Sequence, residues 1–115
     1  MMCDGFAATP EPPYYAVIFT SRMSGDDAGY EAMAAAMEEL ALAQPGALGV
    51  ESVRGADGVG ITVSYWRDEA SIRAWKAKAE HLAAQRSGIQ RWYSRYELRV
   101  AKVEWAYSGP AGRSP

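Results

Sequence analysis

The sequence predicts one α+β domain whose strands and helices follow the order β-α-β-β-α-β. A chain of 115 residues has room for one domain and not two. Two segments space their apolar residues as amphipathic helices do, and four others are rich in β-forming residues or alternate between apolar and polar. Asp57-Gly58 is a hairpin signal between the second and third strands. This order is that of the ferredoxin-like split βαβ arrangement, a four-stranded sheet with both helices on one face.

The first strand and the first helix are predicted from the residues that follow the proline-rich N-terminus. Residues Tyr14–Phe19 (YYAVIF) are apolar on both faces, which is typical of a central strand that is covered on each side. From Tyr30 onward, apolar residues recur at helical spacing until Gln44-Pro45-Gly46 ends the helix. Asp26 or Asp27 is suited to cap this helix.

The second and third strands are predicted at Leu48–Arg54 and Val59–Trp66, on either side of the hairpin turn GADG. Side chains of a strand point alternately to opposite faces of the sheet. The third strand therefore divides into two sets: Ile61, Val63 and Tyr65 on one face, and Thr62, Ser64 and Trp66 on the other.

The second helix is expected to begin after a cap at Asp68 and to end at Gly88. Its predicted buried stripe is Ile72, Trp75, Ala79 and Leu82. The last strand is predicted at Tyr93–Tyr107. Its alternation changes phase, which indicates a bulge or bend near Ala101-Lys102.

The remaining residues are predicted to be flexible tails, so that the folded domain spans residues 14–108. Residues 1–13 and 109–115 are rich in proline, glycine and small side chains. Both sheet faces are expected to be apolar, and the two helices cover only one. A second copy of the chain would cover the other, which predicts a homodimer with two sheets packed face to face, a dimeric α+β barrel.

Composition excludes several classes of protein. No apolar run is long enough to cross a membrane, and the N-terminus has no signal peptide, so a cytoplasmic protein is expected. One cysteine, Cys3, and one histidine, His81, exclude a zinc cage.

The pI of about 5.4 and the lack of a basic motif argue against nucleic acid. Residues 1–65 carry a net charge of −7 and residues 66–102 a net charge of +5, which indicates either complementary halves or a basic rim for an anionic ligand.

A series of segments carries a resemblance to a known family. These segments are AVIFTSRMS, GYEAM, QPGALGVES, GITVSYW, AWKAKAEHLAAQ and WYSRYELRVAKVEWAY. Over residues 14–107 the sequence resembles the antibiotic biosynthesis monooxygenase family, most specifically at Gly60–Gln85. The resemblance implies the dimeric α+β barrel fold. It also implies a cofactor-independent monooxygenase that uses O₂ on a quinol- or anthrone-like aromatic, with a haem-binding or haem-degrading protein and a non-catalytic small-molecule-binding dimer as alternatives.

Two residues are the candidates for catalysis. A cofactor-free oxygenase needs an apolar pocket with aromatic walls and a base for the phenolic oxygen of its substrate. His81 is the one residue whose ordinary pKa lies near neutrality. It lies on the flank of the second helix, where it faces either a cleft or water. Trp66 ends the third strand, where it either lines the cavity or packs in the core.

Five further residues are candidates for substrate binding: Phe19, Arg22, Tyr65, Gln85 and Trp92. Arg22 is suited to a substrate enolate or carboxylate, or to Asp26 or Asp27. Trp92 either rims the pocket or fills the dimer interface.

No cofactor and no metal are predicted, and haem is the alternative. The haem-degrading branch of the family is marked by an asparagine on the first strand, a tryptophan on the third and an axial histidine on the second helix. The chain has no asparagine, Trp66 matches, and the axial position falls at Gln85, one turn after His81. Haem ligation by the His81 imidazole stays open, whereas degradation by the usual residues is not expected.

Overall fold

The computed structural model describes residues 5–25, 29–86 and 92–110. Its strands form one antiparallel sheet in the order β2-β3-β1-β4. This is the ferredoxin-like α+β fold, so the predicted element order and fold class are confirmed. The elements are β1 (Tyr14–Met23), α1 (Tyr30–Leu42), β2 (Ala47–Arg54), β3 (Val59–Trp66), α2 (Glu69–Arg86) and β4 (Tyr93–Val103).

The two faces of the sheet have different surroundings. We call the face toward the helices the inner face and the opposite one the outer face. Val17 and Trp66 belong to the inner face, since both pack with Ala41 of α1 and Ile72 of α2. Alternation and register then place Phe19, Ser21, Ser52, Arg54, Gly60, Ser64, Tyr96, Leu98 and Val100 on the inner face, and Ile18, Arg22, Glu51, Val53, Ile61, Val63 and Tyr65 on the outer face.

Trp66 is the centre of the core between the sheet and the helices. It is 0% exposed, and its indole Nε1 donates a hydrogen bond of 2.9 Å to Ser64 Oγ. Trp75 of α2 packs on it with ring centroids 5.2 Å apart. Large aromatic side chains bury more apolar area than any others, so this pair fixes α2 against the sheet.

Two strand ends differ from those predicted. β1 continues to Met23, four residues beyond Phe19, because its polar last residues pair with β3 on one side and β4 on the other. β4 ends at Val103 rather than Tyr107, because Val103 pairs with Tyr14, the first residue of β1. The register of β4 is continuous through residues 101–102, so the predicted bend there is wrong. The register shifts instead between Arg22 and Met23.

The helix caps were predicted correctly for one of the two helices. Asp68 Oδ1 accepts a hydrogen bond of 2.8 Å from the backbone N–H of Ser71, as expected at the start of α2. The cap of α1 is Gly29, with φ of 77° and no side-chain hydrogen bond, rather than an aspartate. A left-handed φ is open to glycine without a steric penalty. Asp26, Asp27 and Gly88 lie outside the described residues. No helix in the described ranges is long and apolar enough to cross a membrane.

The described part of the predicted N-terminal tail contacts the outer face. The Ala7 backbone N–H donates a hydrogen bond of 2.9 Å to Glu51 Oε2, and the Tyr14 hydroxyl donates one of 3.1 Å to Thr9 Oγ1. A Cβ on Gly49 would lie 2.7 Å from Ala7 Cβ, so glycine permits this close approach. Residues 5–9 thus cover one part of the outer face.

A matched pair of core substitutions tests the packing at Trp66. Trp66→Phe removes ring area and the donor to buried Ser64, whereas the buried Nε1 of Trp75 has no hydrogen-bond partner among the described residues. We expect Trp66→Phe to lower the free energy of unfolding by roughly 1–2 kcal/mol more than Trp75→Phe does. Urea denaturation followed by circular dichroism measures the difference. Equal losses would contradict this account of the core.

Candidate functional site

Aromatic side chains from three elements meet at one end of the inner face. The ring centroids of adjacent members lie 5.4–6.1 Å apart, mostly in edge-to-face geometry. Such pairs are favourable beyond the area that they bury. The members of this aromatic cluster are Phe19 of β1, Tyr30 of α1, Trp92, and Tyr93 and Tyr96 of β4.

One side of the aromatic cluster is open. α1 packs on β2 and α2 on β3. The inner-face row of β4, formed by Tyr96, Leu98 and Val100, is therefore 39–50% exposed although it faces the helical side. This open row lies beside Phe19, which pairs with Leu98 in the register, and a contiguous exposed apolar row is a candidate binding surface.

Arg54 joins the cluster to the neighbouring strands. Its Nη2 donates hydrogen bonds to Ser21 Oγ (2.9 Å) and Tyr30 Oη (3.3 Å), and its Nη1 donates one to the carbonyl oxygen of Gly58 (2.6 Å). The guanidinium carbon also lies 5.7 Å from the centroid of the Tyr30 ring. A half-buried positive charge is thus fixed beside an aromatic wall.

Gly60 makes room for this arginine. It lies between Arg54 and Ser21 in the register of the sheet, and a Cβ there would lie 2.7 Å from Arg54 Cζ. Any other residue at Gly60 would displace the guanidinium. The glycine therefore allows Arg54 to cross β3 and reach β1.

Tyr93 is held in its protonated form. Burial raises the pKa of its hydroxyl above the ordinary value, a hydrogen bond with Tyr30 raises it further, and the charge of Arg54 opposes the shift. A hydroxyl that keeps its proton can serve as a hydrogen-bond donor.

A cavity of about 540 Å³ opens beside Tyr30 and Arg54. This volume is in the range of small-molecule sites. We call it the Arg54 cavity. Its lining residues are Met23, Gly25, Gly29, Tyr30, Glu31, Ala32 and Arg54.

The structure brings together only some of the residues that the sequence singled out. Phe19 and Trp92 belong to the aromatic cluster. Trp66 has no exposed surface, so it packs in the core and does not line a cavity. Arg22 and Tyr65 lie on the outer face, across the sheet from the cluster. The Tyr65 hydroxyl donates a hydrogen bond of 2.7 Å to Glu51 Oε1.

His81 lies in a separate groove between the helices. It is exposed, and the groove of about 440 Å³ is formed with Leu40 of α1 and Ala77, Lys78 and Leu82 of α2. The side chain of Gln85 lies outside the described residues. Beyond the imidazole itself, these lining residues offer no further ligand suited to a haem iron. Within residues 5–25, 29–86 and 92–110, no three His, Cys, Asp or Glu side chains are grouped to hold a metal.

Sequence reasoning missed Arg54, Tyr30 and Tyr96, and passed over the role of Ser21. One signal was present: Arg22 and Arg54 are the two basic residues in the acidic first 65 positions. The alternation of a strand does not tell which face the helices cover, so it could not favour Arg54 over Arg22.

The raised pKa of Tyr93 predicts a pH dependence of stability. In the unfolded chain tyrosine ionises near its ordinary value, and in the folded chain Tyr93 ionises at higher pH. Its contribution is therefore complete below pH of about 10 and is lost as pH rises toward the folded pKa. We expect the free energy of unfolding to fall less steeply above that pH in Tyr93→Phe than in the parent chain. Urea denaturation across this pH range measures the slope, and an unchanged slope would count against the predicted shift.

Comparison with known proteins agrees with this architecture. The family model for antibiotic biosynthesis monooxygenase matches residues 13–87. The uncharacterized protein YqjZ of Bacillus subtilis (strain 168) is 55% identical over 103 residues, which is 90% of each chain.

Solved structures share the fold at low identity. SnoaB, a cofactor-independent oxygenase from Streptomyces nogalater, superposes with a TM-score of 0.69 at 15% identity, over 83% of this chain and 97% of SnoaB. PA3566 from Pseudomonas aeruginosa superposes with a TM-score of 0.64 at 15% identity, over 84% and 98% of the two chains. The family model covers more than half of the chain, and the protein therefore belongs to the antibiotic biosynthesis monooxygenase family.

Proposed function

We propose that the protein is a cofactor-independent monooxygenase that uses O₂ on a quinol- or anthrone-like aromatic. The observation that carries this proposal is the aromatic cluster, which is open along β4 and adjoins the Arg54 cavity. Membership of the family supports it, as does the likeness to SnoaB, which is itself a cofactor-independent oxygenase.

The chemistry depends on the substrate as the source of electrons. An anthrone that loses a proton becomes an electron-rich anion that can reduce O₂. One oxygen atom becomes the new carbonyl oxygen at the CH₂ carbon, and the other leaves as water with the two hydrogens of that carbon. The protein has to bind the aromatic plane, stabilise the anion and admit O₂. Aromatic walls from Phe19 and Tyr96 are suited to the first task, and the nearby charge of Arg54 to the second.

Oxygen uptake with an anthrone and a naphthoquinol tests the proposal. In buffer with EDTA and without hemin, we expect uptake above that of heat-denatured protein, with one O₂ consumed for each anthrone CH₂ that becomes a carbonyl. Tyr96→Ala removes a wall of the cluster, and we expect kcat/KM to fall roughly threefold to tenfold. Tyr107→Ala is the matched control, since Tyr107 is similarly exposed (58% against 50% for Tyr96) and lies outside the cluster. No uptake with either substrate class would contradict the proposal.

His81 stays a predicted base, and its place in a different groove makes a separate test necessary. His81→Ala leaves the aromatic cluster intact. Loss of turnover with the fold intact would support the base, and unchanged turnover would remove His81 from the mechanism. Titration with hemin of the parent chain and of His81→Ala, followed by Soret absorbance, tests the haem alternative on the same pair. A saturable band that needs His81 would favour haem.

We further propose that two copies associate through the outer face. Val53 and Ile61 are adjacent in register on this face and are 71% and 42% exposed, and Val63 lies beside them. An apolar sheet face of this kind is normally covered by another layer. The N-terminal residues 5–9 cover only the part near Gly49 and Glu51.

A charge on the outer face tests the homodimer. We expect sedimentation equilibrium to give twice the chain mass of 12.5 kDa. Ile61→Lys buries a charge in the proposed interface and should shift the chain to monomer. Leu42→Lys is the control, because Leu42 is 50% exposed on α1 and lies away from the sheet. A dimer that tolerates Ile61→Lys would contradict the outer-face interface.

A further inference from the structure

The Arg54 guanidinium has unused hydrogen-bonding capacity. A guanidinium carries five N–H groups. Two on Nη2 donate to Ser21 and Tyr30, and one on Nη1 donates to the carbonyl oxygen of Gly58. The second N–H of Nη1 and the N–H of Nε have no acceptor among the described residues. Within the described part of the chain, two donors of Arg54 are therefore left for a ligand.

The same guanidinium has no counter-ion in the described part of the chain. The ion pairs found there involve Arg67, Lys76 and Arg95, and no described carboxylate lies within 4.0 Å of Arg54. The acceptors that Arg54 contacts among the described residues, a carbonyl and two hydroxyl oxygens, are all neutral. A half-buried charge held by neutral groups is costly unless an anion joins it.

Tyr30 presents a second donor to the same cavity. Its oxygen accepts a hydrogen bond from Arg54, and its own O–H group remains a donor. Tyr30 lines the Arg54 cavity, as does the N-terminal turn of α1, the positive end of that helix.

One lining residue opposes a negative ligand. Glu31 follows Tyr30 and also lines the cavity. Its carboxylate repels an anion, so a singly charged oxygen is favoured over a group with two negative charges. Removing the charge of Glu31 should raise the affinity for an anion, whereas removing the charge of Arg54 should lower it.

We propose that the Arg54 cavity binds the ionised oxygen of an aromatic molecule, a phenolate or enolate, through the Arg54 guanidinium and the Tyr30 hydroxyl. The identification of this molecule as the substrate rests on the proposed oxygenase function, whereas the anion site itself does not. The Arg54 charge then stabilises the deprotonated, electron-rich form, and the rings of the aromatic cluster lie beside it.

Binding of 4-nitrophenolate tests the site, since the probe is not oxidised by O₂ and its ionised form absorbs visible light. Nitrobenzene is the neutral comparison. We expect the anion to bind at least tenfold more tightly than nitrobenzene. Arg54→Gln should remove roughly a tenfold preference for the anion over nitrobenzene, as expected for loss of a charged hydrogen bond. Tyr30→Phe should weaken binding of the anion roughly threefold, as expected for loss of a neutral hydrogen bond. Glu31→Gln should tighten binding of the anion and leave the affinity for nitrobenzene unchanged.

The outcomes separate this inference from the proposed function. An anion affinity that is unchanged in both Arg54→Gln and Tyr30→Phe would overturn the anion site, even if oxygen uptake persists. Charge-dependent binding without any oxygen uptake would uphold the anion site and contradict the oxygenase. Arg54 also holds three neighbouring groups, so circular dichroism is used to check that its variant folds. If Arg54→Gln fails to fold, Tyr30→Phe and Glu31→Gln decide: no change in either would overturn the inference.

Discussion

The antiparallel register between β1 and β3 is the constraint on which both the core and the candidate site depend. It pairs Tyr15 with Trp66 at one end and Ser21 with Gly60 at the other. Trp66 and Gly60 are six residues apart and therefore share the inner face. A slip of one residue would turn Trp66 outward and put a side chain where Arg54 crosses the sheet. One hydrogen-bonded ladder thus fixes the orientation of Trp66, the largest fully buried side chain, and the position of the space that the guanidinium occupies.

The two ends of the inner face are used differently. At the Trp66 end, Trp66 is fully buried, Val17, Ala41 and Ile72 are at most 5% exposed, and Ser64 satisfies the buried indole N–H. At the other end the aromatic cluster is only partly covered, because the helices pack on β2 and β3 and leave the row on β4 open. The first end supplies stability, and the second leaves aromatic and polar groups available to a bound molecule.

The electrostatics of the site centre on one positive charge that is held by neutral groups. Arg54 is held by a carbonyl and two hydroxyl oxygens, without a described carboxylate to neutralise it. Two of its five N–H groups have no acceptor among the described residues, and the proposed anion would accept hydrogen bonds from them. The same charge opposes the rise in the pKa of Tyr93, which burial nevertheless dominates.

The element order, the two side-chain sets of β3 and the Asp68 cap could be predicted from the sequence, since each depends on local spacing. It also predicted Phe19 and Trp92 as site residues, and both lie in the aromatic cluster. It could not decide which face the helices cover, because alternation shows only which residues point the same way. That choice, made by the packing of Trp66, buried one predicted catalytic residue, sent Arg22 and Tyr65 to the outer face, and brought Arg54 to Ser21, 33 residues distant. Contacts between residues so far apart in the sequence arise from strand register, and the register is visible only in the folded chain.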